Sequence, residues 1–362
     1  MSHACKQRPR FGRLTTRLIA GVLAALPLFT VSLAPADALA QETRQRWKLA
    51  SAFPATFPLV GTAGKRVAEL ITRNTGGSIE VRFYDPGALV PALEIFDAVS
   101  KGTVDAGWHV GVYIAAKVPA AQIFAGIPFG PHAQEYLAWF DHGGGQQLYD
   151  KVYNARNVKG FICTTLAPEA GGWFRKEIAS VDDFKGLKFR IAGLGGKAIE
   201  KLGASAVLTA PGDVMGALER GVIDGTEYSS PAIDVSAEYY KVAKHYHFPG
   251  WHQPVAVWEL LLNLAKWNAL SPTQQAQIES SCRDNIVASI ADGEAAQTEA
   301  LEKILSNGVQ IHRFPEPVLA ALRDASSQAI TEAAAGNAEF KEVWDSLSAF
   351  RAKYESWRVL RQ

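Results

Sequence analysis

Apolar positions fall in strand-like runs at residues 47–51 and 79–83, with a helical spacing between them over 64–74 that ends near Gly76 and Gly77. A second helix is predicted over 91–100 from Leu93, Phe96, Ala98 and Val99, stopped by Gly102, and a further strand begins at 104–107. Residues 98–106 match residues 217–225 in class at almost every position, so Gly221 repeats the part of Gly102. Each copy reads as a helix end, a glycine that can take the left-handed conformation, and a β-branched strand start.

The surroundings of the second copy repeat the theme: 187–191 is strand-like, 196–202 helical, 206–208 extended and 214–220 helical. Alternating elements with short connections predict two open α/β lobes rather than a propeller or sandwich. A mostly apolar strand at 255–262 and a helical region over 272–305 would carry the chain back into the first lobe. An extended piece at 309–314 precedes a last helical tract with Val318, Leu322, Ile330, Phe340, Val343, Trp344, Leu347 and Phe350, which needs another surface for its apolar face. The expected division is 41–165 for the first lobe, 166–254 for the second, 255–305 for the return and 306–362 for the extended segment and C-terminal helices.

The first forty residues stand apart. Lys6, Arg8, Arg10, Arg13 and Arg17 precede a nearly uncharged stretch over 18–33 and the sequence Ala38-Leu39-Ala40. That order predicts a secretory signal peptide cleaved after Ala40, the apolar core being short for a membrane span. The mature part, 322 residues, holds thirty-two basic against thirty-five acidic side chains. So small a net charge gives no general attraction to nucleic acid or an anionic membrane, and specificity must come from a local site. Cys163 and Cys282 remain, too few for a disulfide framework, although export would permit one bond between them.

Catalytic patterns are lacking. His142, His245, His247 and His252 form no His-Glu-x-x-His motif, there is no zinc-type cysteine cluster, and Gly193-Leu194-Gly195-Gly196 lacks nucleotide-binding spacing. The sequence instead resembles the receptors of tripartite ATP-independent periplasmic (TRAP) transporters, the DctP-like class, and within it the binders of 2-oxo monocarboxylates. The resemblance spans nearly the whole mature chain and is carried, in order, by Leu49-Ala50-Ser51-Ala52-Phe53-Pro54, Ala138-Trp139-Phe140-Asp141, Gly171-Gly172-Trp173-Phe174-Arg175, Gly186-Leu187-Lys188-Phe189-Arg190, Ile223-Asp224-Gly225-Thr226-Glu227-Tyr228 and Tyr246-His247-Phe248-Pro249-Gly250-Trp251. It implies an α/β fold of the type II periplasmic-binding-protein kind, with two lobes, a ligand cleft and a long C-terminal helical region. It also implies no catalysis, a small organic acid anion as ligand, delivery to membrane-embedded TRAP permease subunits, and in some members a homodimer through the C-terminal helices, for which residues 340–357 supply apolar side chains.

The resemblance sets Arg190 against the ligand carboxylate, a task suited to a planar guanidinium that donates two parallel hydrogen bonds. It makes Glu227 a metal ligand and gives Tyr228 a backbone-carbonyl contact to the same ion. Glu169 stands where the nearest relatives more often have an amide, and Gln253 where they more often have an acid. Two carboxylates, Glu169 and Glu227, favour Ca²⁺ over Na⁺, the alternative. Phe53, Tyr113, Trp173, Tyr228 and Trp251 are the expected aromatic walls, with Glu169 also beside the substrate. A dicarboxylate or amino-acid receptor is the competing reading and an exported enzyme the more remote one.

Overall fold

The computed structural model describes residues 44–360 apart from position 167, so the expected signal peptide and its cleavage after Ala40 lie outside the described residues. Among the described residues eleven strands, β1 (Gln45–Ser51), β2 (Ile79–Tyr84), β3 (Ala106–His109), β4 (Val158–Leu166), β5 (Gly172–Phe174), β6 (Lys188–Arg190), β7 (Ser205–Val207), β8 (Gly225–Thr226), β9 (His245–Phe248), β10 (Ala256–Asn263) and β11 (Gln310–Arg313), form two sheets. The first has the order β2-β1-β3-β10-β4 and the second β11-β9-β5-β8-β6-β7. In the first sheet β10 runs antiparallel to both neighbours. Every residue of β10 and β4 is buried, the pattern of strands covered on both faces.

Two sheets flanked by helices give two α/β lobes, and the chain crosses between them more than once. It leaves the first sheet after β4, builds most of the second, and returns at β10 between β3 and β4. The Pro272–Ser306 helix, capped by Ser271 and Gln274, lies on β4 and on the Gly61–Asn74 helix before β11 joins the edge of the second sheet. The predicted C-terminal tract is two helices. Glu316–Gly336 packs on the second lobe's Gly193–Lys201 helix, the backbone turns extended at Asn337, and Ala338–Leu360 packs on helices of the first lobe. One tract therefore divides its apolar side chains between two lobes.

The repeated unit reappears in three dimensions. Gly102 and Gly221 end their helices with φ of 72° and 68°. The aspartate three residues beyond each glycine makes the same pair of contacts: the Lys48 N–H donates to Asp105 Oδ2 at 2.7 Å and the Lys188 N–H to Asp224 Oδ2 at 2.9 Å. Their own N–H groups return to the carbonyls of Lys48 and Lys188. Ala50 beside Gly107 in β1 and β3 thus corresponds to Arg190 beside Thr226 in β6 and β8.

Cys163 of β4 and Cys282 of the long helix form a disulfide across 119 positions of sequence. No helix among the described residues is long and apolar enough to cross a membrane.

Candidate functional site

Parallel pairing of β6 with β8 brings Arg190 opposite Thr226, and the Glu227 N–H donates to the Arg190 carbonyl at 3.0 Å. The side chains meet just past the strand ends, where both are buried. Arg190 Nη1 donates to Glu227 Oε1 at 2.8 Å and to the Glu227 carbonyl at 3.0 Å, while Nη2 donates to the Thr209 carbonyl at 3.5 Å. Arg190 and Glu227 are therefore in direct contact. The two residues expected to face the ligand and the metal thus form a single buried pair. Burial opposes both charges, but each is the other's answer: Glu227 raises the Arg190 pKa, and Arg190 lowers that of Glu227.

Glu169 arrives from the crossing after β4. Its N–H donates to the Gln253 carbonyl and that of Ala170 to the Ser229 carbonyl, which fastens three loops together. The closeness demands glycine at 250, because a Cβ there would lie 2.0 Å from the Glu169 carbonyl oxygen. Beside it sits His252, which follows Trp251 and belongs to no motif of its own. Its Nε2 is 2.9 Å from Glu169 Oε2 and 3.3 Å from Glu227 Oε2. Burial works to lower the His252 pKa, but the bonds to the two carboxylates outweigh it and push it up to about 9. Glu169, pushed up by burial, is the less firmly ionised of the two acids. The N–H of Ala192, at the entry to the Gly193–Lys201 helix, supports the ionised Glu227. That helix start serves the protein's own carboxylate.

A cavity with only about 30 Å³ of free space lies between the lobes. Phe53, Tyr113 and Trp258 contribute walls from the first lobe, and Glu169, Arg190, Glu227, Tyr228, Ser229 and Gln253 line the rest. Seven residues singled out in the sequence thus share one cavity; two do not. Trp173 is fully buried behind it, stacked on Tyr246 at 4.0 Å, its indole N–H donating to Asp234 Oδ2 at 2.8 Å. Asp234 in turn holds the Ser229 N–H, so Trp173 braces the loop that carries Glu227 and Tyr228. Trp251 packs into the second lobe's own core against Phe129 and His252, away from the cavity. Both rings were expected as walls, and both are support. Burial makes Tyr113 a weak acid, pushed up to about 12, so its hydroxyl stays a hydrogen-bond donor at neutral pH.

Three lining residues carry a buried polar atom with no hydrogen-bond partner among the described residues: Arg190 Nε, Ser229 Oγ and Trp258 Nε1. Two of these can only donate, and uncompensated buried donors are costly. A cavity so lined is built for acceptor oxygen atoms.

The family model for DctP, the bacterial extracellular solute-binding protein family 7, matches residues 49–337. The chain belongs to the DctP family. A monocarboxylate 2-oxoacid-binding periplasmic protein of Nostoc sp. is 34% identical over 320 residues, 88% of this chain and 87% of that protein. A TRAP transporter solute-binding protein of Bordetella bronchiseptica, a dimer with copurified calcium and picolinate in one active site, superposes with a TM-score of 0.85 at 32% identity over 87% of this chain and 94% of its own. One from Pseudoalteromonas atlantica with bound sodium and pyruvate gives 0.83 at 30% identity, covering 87% and 96%. This DctP chain is a two-lobed TRAP receptor for small organic acids, and the family's members are solute-binding receptors rather than enzymes.

The DctP site also has the donors for a hard cation. One oxygen from each of Glu169 and Glu227 and one nitrogen of His252 lie within 4.8 Å of one another. The Gln253 amide nitrogen is committed to the Ala125 carbonyl at 3.0 Å, which orients the amide and leaves its oxygen as an acceptor. Oxygen-rich sets of this kind suit Ca²⁺ or Na⁺, while the histidine, with no oxygen to offer, is out of character for calcium.

Proposed function

We propose that the cavity captures a small 2-oxo or 2-hydroxy monocarboxylate, pyruvate being the simplest, and that the receptor hands it to a membrane permease from the periplasm, after loss of residues 1–40. The observation that carries this reading is the set of unmatched buried donors headed by Arg190, whose Nε edge is open while Nη1 is held by Glu227. That edge offers a carboxylate the bidentate geometry guanidinium provides. The narrow cavity favours a short acid, and the disulfide is in keeping with an oxidising compartment.

An incoming anion adds negative charge beside Glu169 and Glu227, so an offsetting cation belongs in the proposal. Glu169, Glu227, the Gln253 amide oxygen and the Tyr228 carbonyl would hold it, Ca²⁺ by preference and Na⁺ as the alternative; it would supply positive charge towards the ligand's oxygens. Calorimetry with pyruvate, lactate, dicarboxylates and amino acids, before and after chelation, tests both parts. The expected result is binding of the monocarboxylates, weakened by chelation and again by Glu227→Gln. Glu169→Gln should be milder and should shift preference from Ca²⁺ towards Na⁺, since lower ligand charge weakens calcium. Tight preference for a dicarboxylate or an amino acid ends the substrate assignment, and affinity indifferent to both chelation and Glu227→Gln ends the cation.

The assembly proposal is a homodimer through the C-terminal helix. Trp357, Val359 and Leu360 are 56%, 60% and 80% exposed at its end, an apolar group that a second copy would cover. Light scattering should show a mass that doubles as concentration rises; monomer at every concentration defeats it.

A further inference from the structure

Away from the cleft, at the edge of the second lobe, β9 and β11 run parallel with His247 opposite His312. His245, two residues earlier on β9, therefore points to the same face. The three imidazoles form a column: the His312 ring stacks on His247 with centroids 4.7 Å apart and on His245 at 5.1 Å. His247, fully buried, accepts the Ile178 N–H at Nε2 and is committed to the core. His245 and His312 are not. His245 Nδ1 faces His312 Nε2 at 3.0 Å, and His312 Nδ1 lies 3.3 Å from Glu177 Oε1 in the loop after β5. One ligand atom from each of Glu177, His245 and His312 falls within 4.8 Å of the others.

We propose that Glu177, His245 and His312 form a second metal site, accessible from solvent and distinct from the cleft, that takes a Zn²⁺-class divalent ion. Two facing imidazole nitrogens at 3.0 Å must share a proton or flank a cation. A tetrahedral zinc with nitrogen ligands at about 2.0–2.1 Å sets them roughly 3.3 Å apart, a small adjustment from what is seen. Glu177 now lies at the Nδ1 side of His312 and would leave that contact to reach the ion, a movement its 52% exposed side chain permits, with water completing the shell. Two nitrogens and one carboxylate select Zn²⁺, Ni²⁺ or Cu²⁺ over Ca²⁺ or Mg²⁺, which prefer all-oxygen surroundings.

The ligands come from the loop after β5, from β9 and from β11, the edge strand that feeds the two C-terminal helices. An ion there would pin that edge strand to the sheet. Zn²⁺ titration of the purified receptor, its cleft first saturated with Ca²⁺ and pyruvate, should show one equivalent bound and a raised melting temperature. His245→Asn and His312→Asn should each weaken zinc binding about tenfold or more, the scale on which metal sites respond to a lost supporting group. Glu177→Gln should weaken it less, and Glu227→Gln should leave it unchanged. Anomalous scattering at the zinc edge from soaked crystals of the unaltered protein gives the same answer without a variant, as a peak between His245 and His312. The absence of zinc binding, or zinc that survives His312→Asn and is lost with Glu227→Gln, overturns the site.

Discussion

Arg190→Gln should weaken monocarboxylate binding by about 2–5 kcal/mol, roughly 30- to 5,000-fold, the cost of truncating one member of a buried charged pair. The size follows from where the guanidinium sits. It is 3% exposed, and its Nε has no partner among the described residues. The same substitution strands Glu227, whose remaining counter-charge is His252 at 3.3 Å, so a loss of stability of about 3–5 kcal/mol is also expected. Arg190→Lys separates the two effects. It keeps a charge for Glu227 but loses the planar fork, and should melt near the parent while binding ligand poorly. Calorimetry and thermal melts on both variants are the measurement; an Arg190→Gln protein that binds pyruvate as the parent does would remove Arg190 from the site.

The second large effect lies in the first lobe. Replacing Cys163 and Cys282 by alanine should lower the unfolding free energy by about 4–5 kcal/mol in the chain-entropy limit, because the bond closes a loop of more than a hundred residues in the unfolded chain. The covalent tie joins β4 to the Pro272–Ser306 helix, so it holds the returning segment against the sheet it re-enters. Neither cysteine touches the cavity. Denaturant melts of oxidised parent and double variant should differ in midpoint, while pyruvate affinity at low denaturant stays the same. Coincident midpoints would show that the bond contributes nothing to stability.

What the sequence made legible was whatever is written locally. Gly102 and Gly221 announce two helix ends because left-handed backbone is costly for other residues. The apolar run over 255–262 reads as a strand and is one, although its cover on both faces and the Ser271–Gln274 cap of the long helix that follows are seen only in the structure. The cavity residues were reached through ordered motifs of a family, since nothing local separates a strand-end arginine in a cleft from one on the surface. His252 had no such signal. Its partners, Glu169 and Glu227, are distant in sequence, and only the fold brings the three together. Trp173 and Trp251 illustrate the opposite limit: a large aromatic residue is expected to be buried, but which wall of a strand or loop it faces is decided by pairing. The helical tract after residue 316 reads as one because the break at Asn337 carries no proline to mark it, and the structure divides it in two.

The twin units of the two lobes have diverged at their strand ends. In the second lobe the unit ends in Arg190 and Glu227; at the matching places the first lobe has Ala50 and Trp108, neither charged. Under the proposed reading, recognition and confinement are therefore separate duties. An anion can dock fully on the second lobe while the receptor is open, and the first lobe, bringing Phe53, Tyr113 and Trp258, acts afterwards as a latch. Substitutions in the latch should lengthen or shorten the ligand's stay while leaving its arrival rate almost untouched, and a permease that prises the lobes apart would release cargo without having to break the arginine's grip first.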